Sequence, residues 1–150
     1  MPVTSQICEP DHGTKVKVSA DGTVKVKGYA YSGGGNRIIR VDLTADGGKT
    51  WFEGTIDQQD TVKEPRHYGW TVWSANVKVN HDSEVFVKEA ILFDAYSSIL
   101  KVPKGTNELE VWCKAVDSNN NVQPESFENI WNVRGLLSNA YARVKVQCQH

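Results

Sequence analysis

The sequence predicts an all-β domain, an immunoglobulin-like antiparallel β-sandwich, on three observations. Apolar residues recur at every second position in run after run, glycine-rich or polar turns separate those runs, and helical periodicity is nearly absent. Seven or so short strands with turns between them fit two packed sheets better than a helical or α/β chain.

Taken in order, Val24, Val26, Gly28 and Ala30 alternate with Lys25, Lys27, Tyr29 and Tyr31, the pattern of a strand with one face on a core. Ser32-Gly33-Gly34-Gly35-Asn36 follows. A phosphate-cradling loop would need a helix after it, whereas a strand comes next, so the three glycines read as a wide or bulged turn. In that next strand Ile39, Val41 and Leu43 alternate with Arg40 and Asp42. Ala45 to Lys49 then reverses the chain, with Gly47 and Gly48 able to take the positive φ of a tight turn, and Thr50-Trp51-Phe52 resumes an extended run toward Ile56.

Further strands are expected at Trp70 to Val79, Glu108 to Val116 and Tyr141 to Cys148, where Ala142, Val144, Val146 and Cys148 oppose Arg143, Lys145 and Gln147. Asp82 to Leu100 breaks the pattern. Asp82 or Ser83 can cap a turn with Phe86, Ala90, Ile91 and Phe93 on one helical face, yet the same run is rich enough in Val, Ile, Phe and Tyr for a strand pair. It reads as one inserted excursion near residues 80–102. No repeat or linker divides the chain, so residues 1–150 are expected to form one domain, long enough to bury about 70% of its unfolded surface.

The formal net charge is −1 with both signs interspersed, which disfavours nucleic acid and membrane surfaces as partners. No apolar run reaches the roughly 20 residues of a membrane span, and the first residues lack the basic and apolar regions of a secretory signal. The end, Gln147-Cys148-Gln149-His150, is no peroxisomal tripeptide. The three cysteines, Cys8, Cys113 and Cys148, cannot all pair and show no Cys-x-x-Cys spacing, so they read as free thiols. His12, His67, His81 and His150 are scattered in polar segments and read as solvated side chains, not metal ligands.

No nucleophile with its base, no carboxylate pair and no ligand cluster emerges, so the isolated chain is not expected to be catalytic. Two features stand apart. With Leu109, Val111, Cys113 and Ala115 on the core, Trp112 turns outward, either as a contact residue or covered by the excursion at Asp82 to Leu100. The long irregular stretch from Gln123 to Gly135 brings Trp131, Asn132 and Arg134 close together, and an arginine can present a planar fork to an oxyanion or simply be solvated.

These segments together resemble the C-terminal, or dimerisation, domain of the sulfite oxidase family of molybdenum enzymes, which also contains assimilatory nitrate reductase. The likeness runs through Met1-Pro2-Val3, Lys27 to Gly35, Arg40-Val41-Asp42, Asp46 to Trp51, Cys113 to Asp117, Asn121 to Glu125 and Trp131-Asn132-Val133-Arg134-Gly135. It implies an immunoglobulin-like fold, a two-fold homodimer and a preceding molybdopterin domain that this chain lacks; the residues read above supply Trp112, Trp131 and Asn132 as the interface candidates. The chain thus resembles an excised piece of a longer protein. None of Cys8, Cys113 or Cys148 inherits the molybdenum-ligating role.

The resemblance also places Arg134 at the position where sulfite oxidases carry an arginine reaching the anion pocket and nitrate reductases a methionine; Ser138-Asn139-Ala140 looks like the former. A sulfite-oxidising parent is therefore expected, with a nitrate reductase or a stand-alone binding module as alternatives. At about Asn80 to Val102 the sequence is longer than the family pattern. Electron acceptor and compartment, mitochondrial or otherwise, lie outside what these residues encode.

Overall fold

A computed structural model describes residues 2–80, 99–101, 108–131 and 138–149. The expected excursion near 80–102 lies almost wholly outside the described residues, as do Asn132, Arg134, His81 and His150.

The chain is an all-β sandwich. One sheet contains β1 (Thr4–Glu9), β3 (Thr23–Tyr31), β7 (Thr71–Asn80) and β6 (Thr55–Gln58) in that order, with β8 (Ile99–Lys101) also against β7. The other runs β2 (Lys15–Lys17), β10 (Ala142–Gln149), β9 (Glu108–Asp117), β4 (Ile38–Thr44) and β5 (Phe52–Glu53). Pairing is antiparallel except for two three-residue parallel contacts, β10 with β2 and β7 with β8.

The core is the set of residues that alternation places inward. Val24, Val26 and Ala30 of β3 and Trp73, Ala75 and Val77 of β7 face Val41 and Leu43 of β4, Leu109, Val111, Cys113 and Ala115 of β9, and Val144 and Val146 of β10. Trp73 and Val77 are wholly excluded from solvent. Burying each such aliphatic or aromatic side chain is worth about 1.5–3 kcal/mol before ordering costs are counted.

Two expectations need correction. The alternation groups Ile39 with Val41 and Leu43 on one face, yet Ile39 is 47% exposed and Ile38 is 1% exposed. A register shift between Ile38 and Arg40, opposite Asp117 and Val116, inserts one residue and inverts the alternation at the start of β4. His67 was read as solvated, yet it is 2% exposed. Its backbone N–H donates to Gly35 O at 3.1 Å, and its Nε2 lies 3.0 Å from Asp60 O, so a backbone carbonyl takes the place of water.

The run expected from Thr50 to Ile56 is divided at Gly54. Phe52 and Glu53 pair with β4 in one sheet, while Thr55 and Ile56 pair with β7 in the other. A Cβ at Gly54 would come within 2.9 Å of Leu43 Cδ1, so a larger residue at the crossing requires that core side chain to shift.

Candidate functional site

The registers bring several loops to one end of the sandwich. Thr4 lies opposite Tyr31, Ala30 opposite Thr71, Gln58 opposite Val72 and Ile38 opposite Asp117. The first residues, the Ser32–Asn36 turn, the stretch 59–70, the 117–121 turn and both ends of the irregular stretch 122–141 therefore converge.

Asp117 is the polar centre of this end. Its side chain is buried beside an open hollow of about 370 Å³, which Val3, Ser32, Asn36, Asn121 and Asn139 also line. One carboxylate oxygen accepts from Ser32 Oγ at 2.7 Å, Asn36 Nδ2 at 3.2 Å and Asn121 Nδ2 at 3.0 Å. The other accepts the backbone N–H groups of Asn119 and Asn121, each at 2.9 Å. Burial alone would push this carboxyl's pKa up. The donors from Asn121, Ser32 and Asn119 outweigh burial and hold it below the ordinary 3.8. Asn120, at φ 61°, takes the left-handed conformation that closes the turn.

A second buried group lies alongside. Ser5 Oγ donates to Gln123 Oε1 at 2.6 Å and lies 3.4 Å from Cys113 Sγ, linking the two sheets. Gln123 Nε2 donates to Asn139 O at 3.0 Å and Ala140 O at 3.2 Å, and Asn139 Nδ2 donates to Val3 O at 2.9 Å. Tyr141 N closes the set by donating to Pro124 O at 3.0 Å. Gln123 and Asn139 are thus both tied to the first residues of the chain, through Ser5 and Val3.

This end also carries the exposed large apolar side chains found among the described residues. Tyr68, Trp70 and Val72 extend the face of Tyr29 and Tyr31, with Trp70 centred 4.8 Å and 5.2 Å from their rings. Ile39 stands at the start of β4, Val62 lies in the stretch 59–70, and Val122, Phe127 and Trp131 belong to the irregular stretch, Trp131 being 68% exposed. The short 3-10 turn Glu128–Ile130 leads directly into Trp131.

Trp112 turns away from the core, as its neighbours' alternation requires, and is half-buried. The Arg143 guanidinium sits 3.9 Å from its ring centroid and its indole N–H donates to Glu110 Oε1 at 2.9 Å. Beside it Lys114 Nζ lies 3.7 Å from the Trp51 ring centroid, so this sheet face is a lattice of cations on aromatic faces.

All three thiols are free. Cys113 is buried in the core, and burial pushes its thiol up to about 12 against the smaller opposing effect of Ser5. Burial raises Cys148 too, while Cys8 stands exposed on β1. Among the described residues no three His, Cys, Asp or Glu side chains gather as metal ligands, and core thiols held protonated do not suit a molybdenum centre.

Asp117, Gln123, Asn139 and Ser5 were not singled out as site residues from sequence. Asp117 was legible in principle: an aspartate followed by Ser-Asn-Asn-Asn is a strong turn signal, because its carboxylate can accept from backbone N–H groups just ahead. Partners more than 100 positions away, such as Ser5 for Gln123, leave no local signal.

Fold and site define a β-sandwich domain whose polar end is assembled from loops of both sheets. The chain belongs to the Mo-co oxidoreductase dimerisation domain family, which matches over residues 1–92 and 89–149. It is 45% identical over 148 residues to the mitochondrial sulfite oxidase of Drosophila melanogaster, covering 98% of this chain and 22% of that protein. To the mitochondrial sulfite oxidase of Homo sapiens it is 40% identical over 147 residues, covering 97% of this chain and 22% of the relative. The NADH nitrate reductase of Lotus japonicus is 35% identical over 150 residues, covering 95% of this chain and 14% of that protein. The chain thus spans less than a quarter of the length of these relatives. The sulfane dehydrogenase SoxCD of Paracoccus pantotrophus shares the fold, with a TM-score of 0.54 at 24% identity, over 94% of this chain and 29% of that one.

Proposed function

We propose that the chain is the dimerisation domain of a sulfite oxidase-type molybdenum enzyme that oxidises sulfite to sulfate, contributing Arg134 to the anion pocket and a surface to a homodimer. One observation supports the reading: Asn139, shortly after Arg134 in the chain, donates to Val3 O among the first residues, where a preceding cofactor domain would join. Arg134 is the residue of that part of the chain assigned here to the anion. Its guanidinium stays charged across the physiological range and can give two parallel hydrogen bonds to two oxygens of a sulfite anion. The redox centre belongs to the preceding domain, and this chain's part is to bind and orient the anion.

Trp112, Trp131 and Asn132 are the proposed protein contacts. The exposure of Trp131 supports its part, since an indole left in water at a loop-built end is the kind of anchor that interfaces cover. Similarity to a plant nitrate reductase keeps a nitrate-reducing parent in view, and the arginine at position 134 favours sulfite over it.

The test is steady-state kinetics of the complete enzyme carrying Arg134→Met. Loss of a charged, two-pronged contact is expected to raise the KM for sulfite by roughly tenfold or more. Sulfite kinetics equal to wild type would remove Arg134 from the pocket.

A further inference from the structure

The outer face of the sheet that contains β1, β3, β7 and β6 carries an uncharged aromatic patch at the loop-built end. Alternation turns Tyr29 and Tyr31 of β3 outward, and Val72 of β7 stands opposite Tyr29. Trp70 lies edge-on to the Tyr29 ring at 4.8 Å and tilted against the Tyr31 ring at 5.2 Å. Across the strands one row holds Thr4 and Tyr31 and the next Gln6, Tyr29, Val72 and Gln58, with no charged side chain in either. Charge begins one row further on, where Lys27 pairs with Glu9 at 2.8 Å and Ser74 Oγ donates to Asp57 at 3.1 Å. Apolar rings in the middle and polar or charged groups around them are the composition of an interface centre and its rim.

We infer that this patch is the docking surface for the preceding domain of the same chain, which rests on the reading of this chain as one domain of a longer enzyme. The chain accounts for 22% of the fly and human relatives, so most of such a protein lies outside it. Its point of attachment is fixed against the patch. Val3 is 3% exposed and its carbonyl accepts from Asn139 Nδ2 at 2.9 Å, while the next residue, Thr4, stands opposite Tyr31. A domain ahead of Met1 is therefore tethered to this edge of the sheet by three residues, about 10 Å of extended chain. Such a tether makes docking intramolecular, at an effective concentration of about millimolar, so a patch of a few rings is enough. A second copy, untethered, would compete for the same space. Trp70 also carries an indole N–H and the two tyrosines carry hydroxyls, so the surface that fits here is apolar with a few carbonyl or carboxylate acceptors.

The experiment is hydroxyl-radical footprinting of the complete protein, read by mass spectrometry at Trp70 and compared with the same protein unfolded in urea. Left open, Trp70 at 55% exposure labels within about twofold of the unfolded chain, whereas a covered indole from which water is excluded labels roughly tenfold more slowly. Labelling is repeated at protein concentrations above and below those at which dimers dissociate, since a contact within one chain does not depend on dilution. Photocrosslinking then identifies the cover, with p-benzoylphenylalanine in place of Trp70, or in place of Val72 if the first variant fails to fold.

We expect the slow labelling at every concentration, and a crosslink that joins the patch to residues ahead of Met1 while leaving the mass of a single chain. Labelling near the unfolded rate overturns the inference. Protection lost on dilution, or a crosslink to a second copy, overturns it in favour of a homodimer contact; a crosslink to this domain's own residues, or none from either position, overturns it as well. If the complete reading frame places no domain ahead of Met1, the enzyme reading fails first and this inference with it. With such a domain present and Trp70 open to the label, the docking surface alone is lost, and the role of Arg134 is judged separately by the sulfite kinetics.

Discussion

Asp117 shows how one carboxylate can organise a loop-built end. It is buried and surrounded by donors from two turns, and the partners that hold it among the described residues are hydroxyl, amide and backbone N–H groups, so hydrogen bonds keep it ionised. Because its folded pKa lies below the ordinary value, its contribution to stability is fully present above that value and is lost as pH falls through it toward the folded pKa. Asp117→Asn is therefore expected to cost about 1–3 kcal/mol near neutral pH, with the gap to wild type narrowing below about pH 4. Urea denaturation at several pH values measures this, and a gap constant with pH would show that the charge is not what matters. At this scale the sequence was least informative. It singled out Arg134, Trp131 and Trp112 as chemically distinctive residues, but the amides and hydroxyls that organise the end, Gln123, Ser5 and Asn139, are ordinary residue types whose importance comes from partners far away in the chain.

Strands were far more legible than side-chain networks, for a physical reason: burying one face of a sheet imposes a period of two on the sequence itself. The alternations at Val24 to Ala30, in β9 and in β10 all fall on the core as expected. Reading failed where the period is interrupted or too short. The extra residue at Ile39 shifts the frame, β2 and β8 are three residues each, and the strand run through Phe52 changes sheets. Close approach between strands is likewise hidden in a glycine. A Cβ on Gly28 would run into the Gln6 carbonyl of β1 and the ring of Trp73, so Gly28→Ala is expected to cost about 1–3 kcal/mol through overpacking. A lowered denaturation midpoint with unchanged steepness is the expected signature, and an unchanged midpoint would mean that β1 can yield there.

For the whole molecule, the question is what the surfaces meet. Self-association is the property proposed for this domain, and sedimentation of the chain over a range of concentrations is expected to show a monomer–dimer equilibrium. Replacing Trp112 with Ala should weaken it by about 2 kcal/mol if that face takes part; a strict monomer at high concentration would remove the homodimer claim for the domain by itself. Since the chain on either side of Gly54 serves a different layer, one continuous extended run ties the two sheets covalently at this point. A load on one layer is therefore expected to reach the other along the backbone itself as well as through the apolar packing between them.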